Sequence, residues 1–172
     1  QDAVNLCRHA NTTGYSVTLA LWNGPSESAS TIMAGYQQTL NEIVTRHLDA
    51  RLAIKLPGLN YDKTRLGVLL EIARAGGVGL QFDAHAIDTF EKTFDLVQWA
   101  RARYDRVGCT LPSRWRRSLA CAELLIDLHV AVRVVKGQWK DPTAADLDCR
   151  AHFLEIVEAL AGRAVHVSVA TH

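Results

Sequence analysis

The sequence lacks the long hydrophobic stretches that a membrane-spanning segment needs. No apolar run approaches the roughly 20 residues that cross a bilayer as a helix, and residues 1–15 are polar, unlike a signal peptide or an anchor. Lysine plus arginine (19) and aspartate plus glutamate (18) nearly balance, for a net charge of +1. The charge gives no argument for a nucleic-acid partner, and we expect at most peripheral contact with a membrane.

Cysteine is sparse, and its spacing excludes the common zinc patterns. Cys7, Cys109, Cys121 and Cys149 form no C-x-x-C pair and are too dispersed for a disulfide scaffold. The seven histidines are equally scattered, without an H-E-x-x-H motif. We therefore expect reduced thiols at or near buried positions and no metal centre. The expected location is the cytoplasm, with peripheral association at the inner membrane as the alternative.

Two phosphate-binding signatures are also missing. No predicted strand is followed by G-x-G-x-x-G or by G-x-x-x-x-G-K-[ST], which disfavours a dinucleotide-binding Rossmann domain and a P-loop domain. No linker or low-complexity tract divides the chain. Its 172 residues, 48% hydrophobic and 22% charged, are typical of one globular domain over residues 1–172.

What the sequence does contain is a regular alternation of short apolar runs and amphipathic helical stretches. The runs predict six strands, over residues 15–21, 52–56, 78–82, 107–111, 130–135 and 165–170. Five helices are predicted between them, beginning near Ser26 or Ser28, Asp62, Asp88, Ser118 and Asp141–Thr143. Each strand-helix unit spans about 25 to 35 residues, the length that a parallel β-α-β crossover requires.

Two architectures fit this order, a doubly wound open sheet and a β/α barrel. Polar groups follow several strands instead of one glycine-rich turn, which favours the α/β fold of the (β/α)8 TIM-barrel type. A closed barrel of this type needs two more strands than the six predicted here. We therefore expect an incomplete barrel whose last strands are absent from this chain.

Lys55, Asp83 and Lys136 each lie at the end of a predicted strand. Such groups, pointing into one barrel mouth, would bind a charged small molecule. Two structural alternatives stay open. Lys55 and Asp83 could form an ion pair that closes the top of the barrel, and Asp83 could cap the following helix.

Arg133 lies inside the most apolar of the predicted strands. Strand alternation places it on one face with Val135, while Val134 and Lys136 lie on the other. A buried arginine is costly unless it meets an anion, an electron-rich ligand or a carboxylate of the protein, so a structural ion pair is the alternative. Gly137 would let a flat ring or a phosphate approach the backbone.

Further polar and aromatic residues lie near the predicted strand ends. Arginines surround Trp115 after the fourth strand, which indicates either a phosphate-binding patch or a solvated helix start. Three aromatic residues near other strand ends could stack on a ligand ring or pack loops. The arginines are Arg114, Arg116 and Arg117, and the aromatic residues are Trp22, Tyr61 and Trp139.

Four segments together resemble the catalytic barrel of proline dehydrogenase, the flavin-dependent enzyme that oxidises proline to pyrroline-5-carboxylate. The corresponding family elements are I-K-L-S, D-A-E, R-L-V-K-G-A-Y and F-A-T-H, in the same order along nearly the whole chain. The matching segments here are Ala53–Leu56, Phe82–Ala84, Arg133–Trp139 and Val169–His172.

The resemblance implies FAD as cofactor, a cyclic imino acid as substrate and a quinone-type electron acceptor. Lys55, Asp83 and Arg133 would be catalytic, with Arg133 near flavin N5, where negative charge develops. Lys55 would pair with the substrate carboxylate or hold Asp83. The implied flavin contacts are Asp83, Ala84, Arg133, Lys136, Gly137, Trp139, Thr171 and His172, and the implied substrate contacts are Lys55, Gln138 and Trp139.

The chain departs from the family pattern at three places. His85 stands where the family has glutamate, and Leu111–Arg114 replaces its Q-A-Y strand end. Gln138 and Trp139 replace an alanine and a tyrosine, which narrows the pocket and changes its polarity.

Two other functions stay open. Lys55 or Lys136 could be the Schiff-base nucleophile of a barrel lyase or aldolase. The chain could also be a barrel of the same family that has lost catalysis and serves as a binding or structural module.

Overall fold

Strands and helices alternate along the computed structural model, which describes residues 2–24 and 26–170. The strands are β1 Val17–Ala20, β2 Ala50–Ile54, β3 Gly79–Phe82, β4 Val107–Pro112, β5 Ala131–Val135 and β6 Val167–Ala170. The helices are α1 Asp2–Thr12, α2 Ala29–Thr45, α3 Lys63–Gly76, α4 Phe90–Arg101, α5 Ser118–Asp127 and α6 Cys149–Leu160. Short 3-10 turns cover Leu56–Leu59 and Ile87–Thr89.

The strands follow one another in chain order, β1 to β6, in one sheet. The pairs β1–β2, β4–β5 and β5–β6 are parallel. A doubly wound sheet would reverse its strand order at a switch point, and this one does not. The predicted β/α-barrel type with six strands is confirmed.

The burial of the middle strands explains why their sequences are so apolar. Every residue of β3 and of β4 is buried, as expected for parallel strands that are covered on both faces. β5 is buried except at Arg133 and Val135, which are partly exposed. The face of β5 that carries Arg133 and Val135 is thus the one that is partly open to solvent.

The chain forms two compact units, residues 1–81 and 82–172. In the first unit α2 packs on α3. The buried residues of α2 recur at helical spacing and are Ile32, Tyr36, Leu40 and Ile43. Asp62 caps α3, because its Oδ1 accepts hydrogen bonds from the backbone N–H groups of Thr64 (2.7 Å) and Arg65 (3.2 Å). These backbone hydrogen bonds hold the pKa of Asp62 below its ordinary value. That the whole chain is a single barrel domain stays a prediction.

Helix α1 is a sixth helix that the sequence analysis missed. Val4, Cys7, Ala10 and Asn11 lie on its less exposed face, and this spacing is helical. The signal is weak, since two of these side chains are small and one is polar. Asn11 nevertheless fixes the helix, because its Nδ2 donates to the backbone oxygens of Tyr15 and Asp49 at 2.8 and 3.0 Å.

In the second unit the predicted start of the last helix is wrong. Asp141 is buried and accepts hydrogen bonds from the backbone N–H (2.9 Å) and the hydroxyl (2.6 Å) of Thr143. It therefore forms a local turn in place of a helix cap, and these bonds hold its pKa below the ordinary value. Helix α6 begins at Cys149 instead, capped by Asp148.

The cysteines are unpaired and mostly buried, as predicted. Cys7, Cys109 and Cys121 are buried, and Cys149 is half-buried. Burial raises the pKa of the Cys109 thiol to about 12, so this group is a neutral thiol at pH 7. Within residues 2–24 and 26–170 the structure has no helix that is both long and apolar enough to cross a bilayer.

Candidate active site

A cleft of about 160 Å³ lies at the carboxyl ends of β4 and β5, within the second unit. Strand alternation explains which residues of β4 and β5 line the cleft, since side chains two positions apart on one strand share a face. The segment that directly follows β3 completes it. The lining residues are Asp83, Ala84, His85, Thr110, Pro112, Arg133, Val135, Gly137, Gln138 and Trp139.

Arg133 is the charged centre of the cleft. Its Nη2 donates to Oδ1 of Asp83, forming an ion pair, and to Oγ1 of Thr110 at 3.0 Å. Thr110 and Arg133 are register partners on β4 and β5, so their side chains project side by side. The side chains of Arg133 and Asp83 are only 23% and 18% exposed. The sequence analysis gave a structural ion pair of Arg133 and a place in the functional site as alternatives. Arg133 pairs with Asp83 and also lines the cleft, so the two occur together.

One donor of this guanidinium is not used by the protein. The Nε of Arg133 is buried and has no hydrogen-bond partner within the described part of the chain. A buried polar group without a partner is destabilising. The guanidinium therefore has one buried N–H that the described part of the chain leaves without an acceptor.

Gly137 closes the cleft by a close approach of two chain segments. Its φ is +89°, and a Cβ placed on it would lie 2.5 Å from Cβ of Pro112. Both features require glycine, because a side chain would be strained at this φ and would clash with the end of β4. The sequence assigned Gly137 to the approach of a ligand, and the structure adds this contact with Pro112.

His85 and Trp139 form an aromatic wall of the cleft. Their ring centroids lie 6.2 Å apart with an angle of 27° between the planes, a stacked arrangement. These are two of the positions at which the chain departs from the proline dehydrogenase pattern. Their stacking shows that the two departures are structurally linked.

Lys55 lies in the first unit, directly after β2. Its Nζ donates to the backbone oxygen of Leu21 at 3.3 Å and lies 4.9 Å from the centroid of the Trp22 ring, a cation–π contact. Its backbone N–H donates to the Tyr36 hydroxyl at 2.9 Å. Trp22 therefore packs on a lysine of this chain, although its side chain is 88% exposed.

Lys136 does not line the cleft that contains Asp83 and Arg133, and the expectation that Lys136 and Asp83 point into one mouth is wrong. Lys136 instead lines a groove of about 470 Å³ with Ser113, Cys149 and the first turns of α6. The reason is the alternation of the strand, which turns Lys136 to the face opposite Arg133. Thr171 and His172, the remaining implied flavin contacts, lie outside the described residues.

The arginines around Trp115 are engaged with protein groups. Arg116 pairs with Asp146 at 2.7 Å, and Arg117 pairs with Glu91 at 2.6 Å. The guanidinium of Arg117 also lies 3.8 Å from the centroid of the Phe90 ring. This pattern favours the solvated helix start over a phosphate-binding patch.

The sequence analysis missed Thr110, although this residue holds Arg133 in place. The signal was the alternation of Gly108, Thr110 and Pro112 along β4, which puts Thr110 on the same face as Pro112. Both residues line the cleft. The register between β4 and β5 was needed to find it, because only the pairing of Thr110 with Arg133 makes it part of the site.

The residues of the cleft fit a flavin ring. A flavin ring is flat and carries nitrogen and oxygen acceptors, which match the unpartnered Nε of Arg133 and the nearby aromatic wall of His85 and Trp139. Leu111 and Pro112 supply no side-chain amide at the end of β4, where the family has glutamine. Arg133 would therefore supply the hydrogen-bond donor for such a ring in place of a glutamine amide.

Comparison with known proteins gives a consistent likeness. No protein-family model matches the chain. Proline dehydrogenase 1 of Bacillus subtilis subsp. natto is 22% identical over 185 residues, and that of Bacillus subtilis strain 168 is 21% identical. Both alignments include the whole of this chain, which spans 61% of the length of each relative.

Solved structures show the same fold. Proline utilization A (PutA) from Bdellovibrio bacteriovorus, inactivated by N-propargylglycine, superposes with a TM-score of 0.80 at 13% identity, over 97% of this chain and 24% of that one. A variant of PutA from Bradyrhizobium japonicum gives a TM-score of 0.70 at 19% identity, over 92% and 21% of the two chains. The chain has a proline dehydrogenase-like fold.

Replacing Gly137 should reveal the close approach to Pro112. We expect Gly137→Ala to lower the free energy of unfolding by about 2–4 kcal/mol, from backbone strain plus the clash. Gly162→Ala is the matched control, because Gly162 has φ +70° but open space around its Cβ position, and it should cost only about 1–2 kcal/mol. Equal losses in urea unfolding would contradict the steric contact.

Neutralising Asp83 should destabilise the protein because Arg133 then keeps its charge without a counter-ion. We expect Asp83→Asn to lower the free energy of unfolding by about 1–3 kcal/mol, a range reduced for the partial exposure of the pair. Asp146→Asn, which removes the partner of the exposed Arg116, should change it by less than about 0.5 kcal/mol. Chemical denaturation of both variants tests this, and an equally small effect at Asp83 would refute the structural role of the pair.

Proposed function

We propose that this chain carries the flavin-binding site of an FAD-dependent dehydrogenase. The enzyme would oxidise proline, or a related cyclic imino acid, to pyrroline-5-carboxylate with hydride transfer to flavin N5. The observation that carries the proposal is the buried Nε of Arg133, which has no partner in the described part of the chain. The names of the Bacillus relatives support the same activity.

Bound FAD would supply the hydride-accepting ring that no protein side chain provides. The part of Arg133 is to place a fixed positive charge and a free N–H beside that ring. Asp83 and Thr110 hold the guanidinium from its other end, so that it does not reorganise during the reaction. Preorganised charge of this kind stabilises negative charge that develops in the transition state.

The remaining cleft residues shape the site. Gly137 would let the ring approach the backbone, and Ala84 would leave room beside Asp83. The stacked rings of His85 and Trp139 would exclude water from one side of the site. Gln138 and Trp139 would contact the substrate.

Further partners follow from the family resemblance and belong to the proposal. Lys55 would pair with the substrate carboxylate, and Lys136, Thr171 and His172 would contact the cofactor. A quinone-type compound would reoxidise the enzyme. The buried, unpaired cysteines favour a cytoplasmic location, with or without peripheral contact at the inner membrane.

The contacts of Lys55 argue against this residue as the nucleophile of the lyase or aldolase alternative. Its amino group is engaged by a backbone carbonyl and by the face of Trp22. Lys136 stays open as a Schiff-base nucleophile. The barrel without catalysis stays the second alternative, since the amide at the end of β4 is missing.

Removal of the Arg133 guanidinium should weaken FAD binding. We expect Arg133→Met to raise the Kd for FAD by roughly tenfold to a hundredfold, through loss of one charge-assisted hydrogen bond. Arg163→Met is the control, because this arginine loses the same charge but pairs with Glu123 away from the cleft. Titration of the purified protein with FAD, followed by tryptophan fluorescence, gives both constants.

The same titration separates the alternatives. Saturable FAD binding by the wild-type protein, weakened by Arg133→Met alone, supports the dehydrogenase. Equal binding by Arg133→Met and Arg163→Met would refute the role of Arg133. A protein that binds no FAD but is trapped by borohydride on a carbonyl substrate would be a Schiff-base enzyme, and one with neither property would be the non-catalytic barrel.

Lys55→Ala should act on substrate binding and leave the cofactor unaffected. We expect the KM for proline to rise by about tenfold, since a lysine-carboxylate contact is lost, while the Kd for FAD stays the same. Steady-state kinetics with an artificial electron acceptor measure the first value. An unchanged KM would assign Lys55 a purely structural role.

A further inference from the structure

Four consecutive residues after β4 bond to the segment after β5. We define residues 113–116 as the anchor segment and residues 136–141 as the wall segment, because the latter carries Trp139. The bonds follow chain order in both segments. Ser113 Oγ donates to the Lys136 oxygen (3.5 Å), Arg114 Nη1 to the Gln138 oxygen (3.3 Å), Trp115 Nε1 to the Trp139 oxygen (3.1 Å), and the Arg116 N–H to Asp141 Oδ2 (3.3 Å).

Trp115 is the rigid member of the anchor segment. Its side chain is only 2% exposed, and its ring meets the Phe90 ring edge-on, with centroids 6.0 Å apart. Arg117 covers the same Phe90 ring and is itself paired with Glu91. The indole N–H of Trp115 is therefore held at a fixed place by the core of the second unit.

The wall segment has little packing of its own. Gln138, Trp139 and Lys140 are exposed and lie in no helix or strand. Trp139 is 43% exposed, and its ring is stacked on His85. Segments with few buried contacts are the ones that open locally, so bonds to the backbone carbonyls must supply the order here.

We propose that Trp115, assisted by Arg114, is a positioning residue of the cleft. It fixes the carbonyl of Trp139 and thereby holds the Trp139 ring against His85 as a preformed wall for the bound ring. We call the bonds from Trp115 and Arg114 to the backbone oxygens of Trp139 and Gln138 the clamp. The identity of the ligand rests on the proposed function, whereas the clamp is a property of the protein alone. It also gives Arg114, one of the residues that replace the family's Q-A-Y strand end, a role in the site.

Backbone ¹⁵N relaxation of the wall segment tests the clamp without any ligand. We expect order parameters near 0.85 for residues 138–140 in the wild type, and values below about 0.6 in Trp115→Phe, which keeps a ring against Phe90 but loses the N–H. Trp99→Phe is the matched control, since Trp99 lies on α4 and its ring packs under Arg103. This substitution should leave the order parameters unchanged. Equal order parameters in Trp115→Phe and wild type would overturn the proposal.

Arg114 provides a second variant if Trp115→Phe does not fold. Arg114→Met removes the bond to Gln138 and should lower the order parameters of the same residues, whereas Arg114→Lys keeps a donor and should restore them in part. No change in Arg114→Met would remove Arg114 from the clamp. An equal loss in the Met and Lys variants would show that the donor is not what matters.

Titration with FAD then connects the clamp to the cleft. We expect Trp115→Phe to raise the Kd by roughly fivefold to tenfold, the effect of losing one neutral hydrogen bond, and Trp99→Phe to leave it unchanged. Lower order parameters with an unchanged Kd would overturn the positioning role. If the wild type binds no FAD, the proposed function fails, while the relaxation data still decide whether the clamp exists.

Discussion

The ion pair between Arg133 and Asp83 is the constraint on which the rest of the site depends. A guanidinium in an otherwise apolar strand is stable only if carboxylate and hydroxyl oxygens meet it. Asp83 supplies the first from the end of β3, and Thr110 supplies the second from its register position on β4. The same two partners orient the group so that its Nε stays unbonded and buried. The contacts that stabilise the guanidinium and the unpartnered Nε on which the proposed function rests thus belong to one arrangement.

The other features of the cleft surround this buried donor. Gly137 brings the chain after β5 against Pro112, where no larger residue fits. The stacked rings of His85 and Trp139 cover one side, and Trp115 bonds to the backbone that carries Trp139. A donor in a buried place is electrostatically stronger than the same donor in water, which is why the proposed flavin contact is assigned to Arg133.

The sequence was informative where charge and strand alternation coincided. Arg133 in an apolar run and Asp83 at a strand end could both be assigned in advance, and β5 faces the cleft with Arg133 and Val135 as predicted. Alternation also separates Lys136 from Arg133, although strand-end position suggested convergence. Thr110 and the anchor segment required a register and long-range contacts, which no local pattern contains. Helix α1 and the start of α6 were misjudged because weak apolar spacing and an Asp-Pro-Thr turn imitate a loop and a cap.

The most direct measurement is the ¹H–¹⁵N resonance of the Arg133 Nε–H group, assigned through its loss in Arg133→Lys and followed while FAD is added. A new hydrogen bond deshields the proton, so we expect a large downfield shift that saturates with the protein's FAD occupancy. The Nε–H resonance of Arg163, which lies outside the cleft, should not move. FAD binding that leaves the Arg133 resonance in place would show that this group does not receive the flavin.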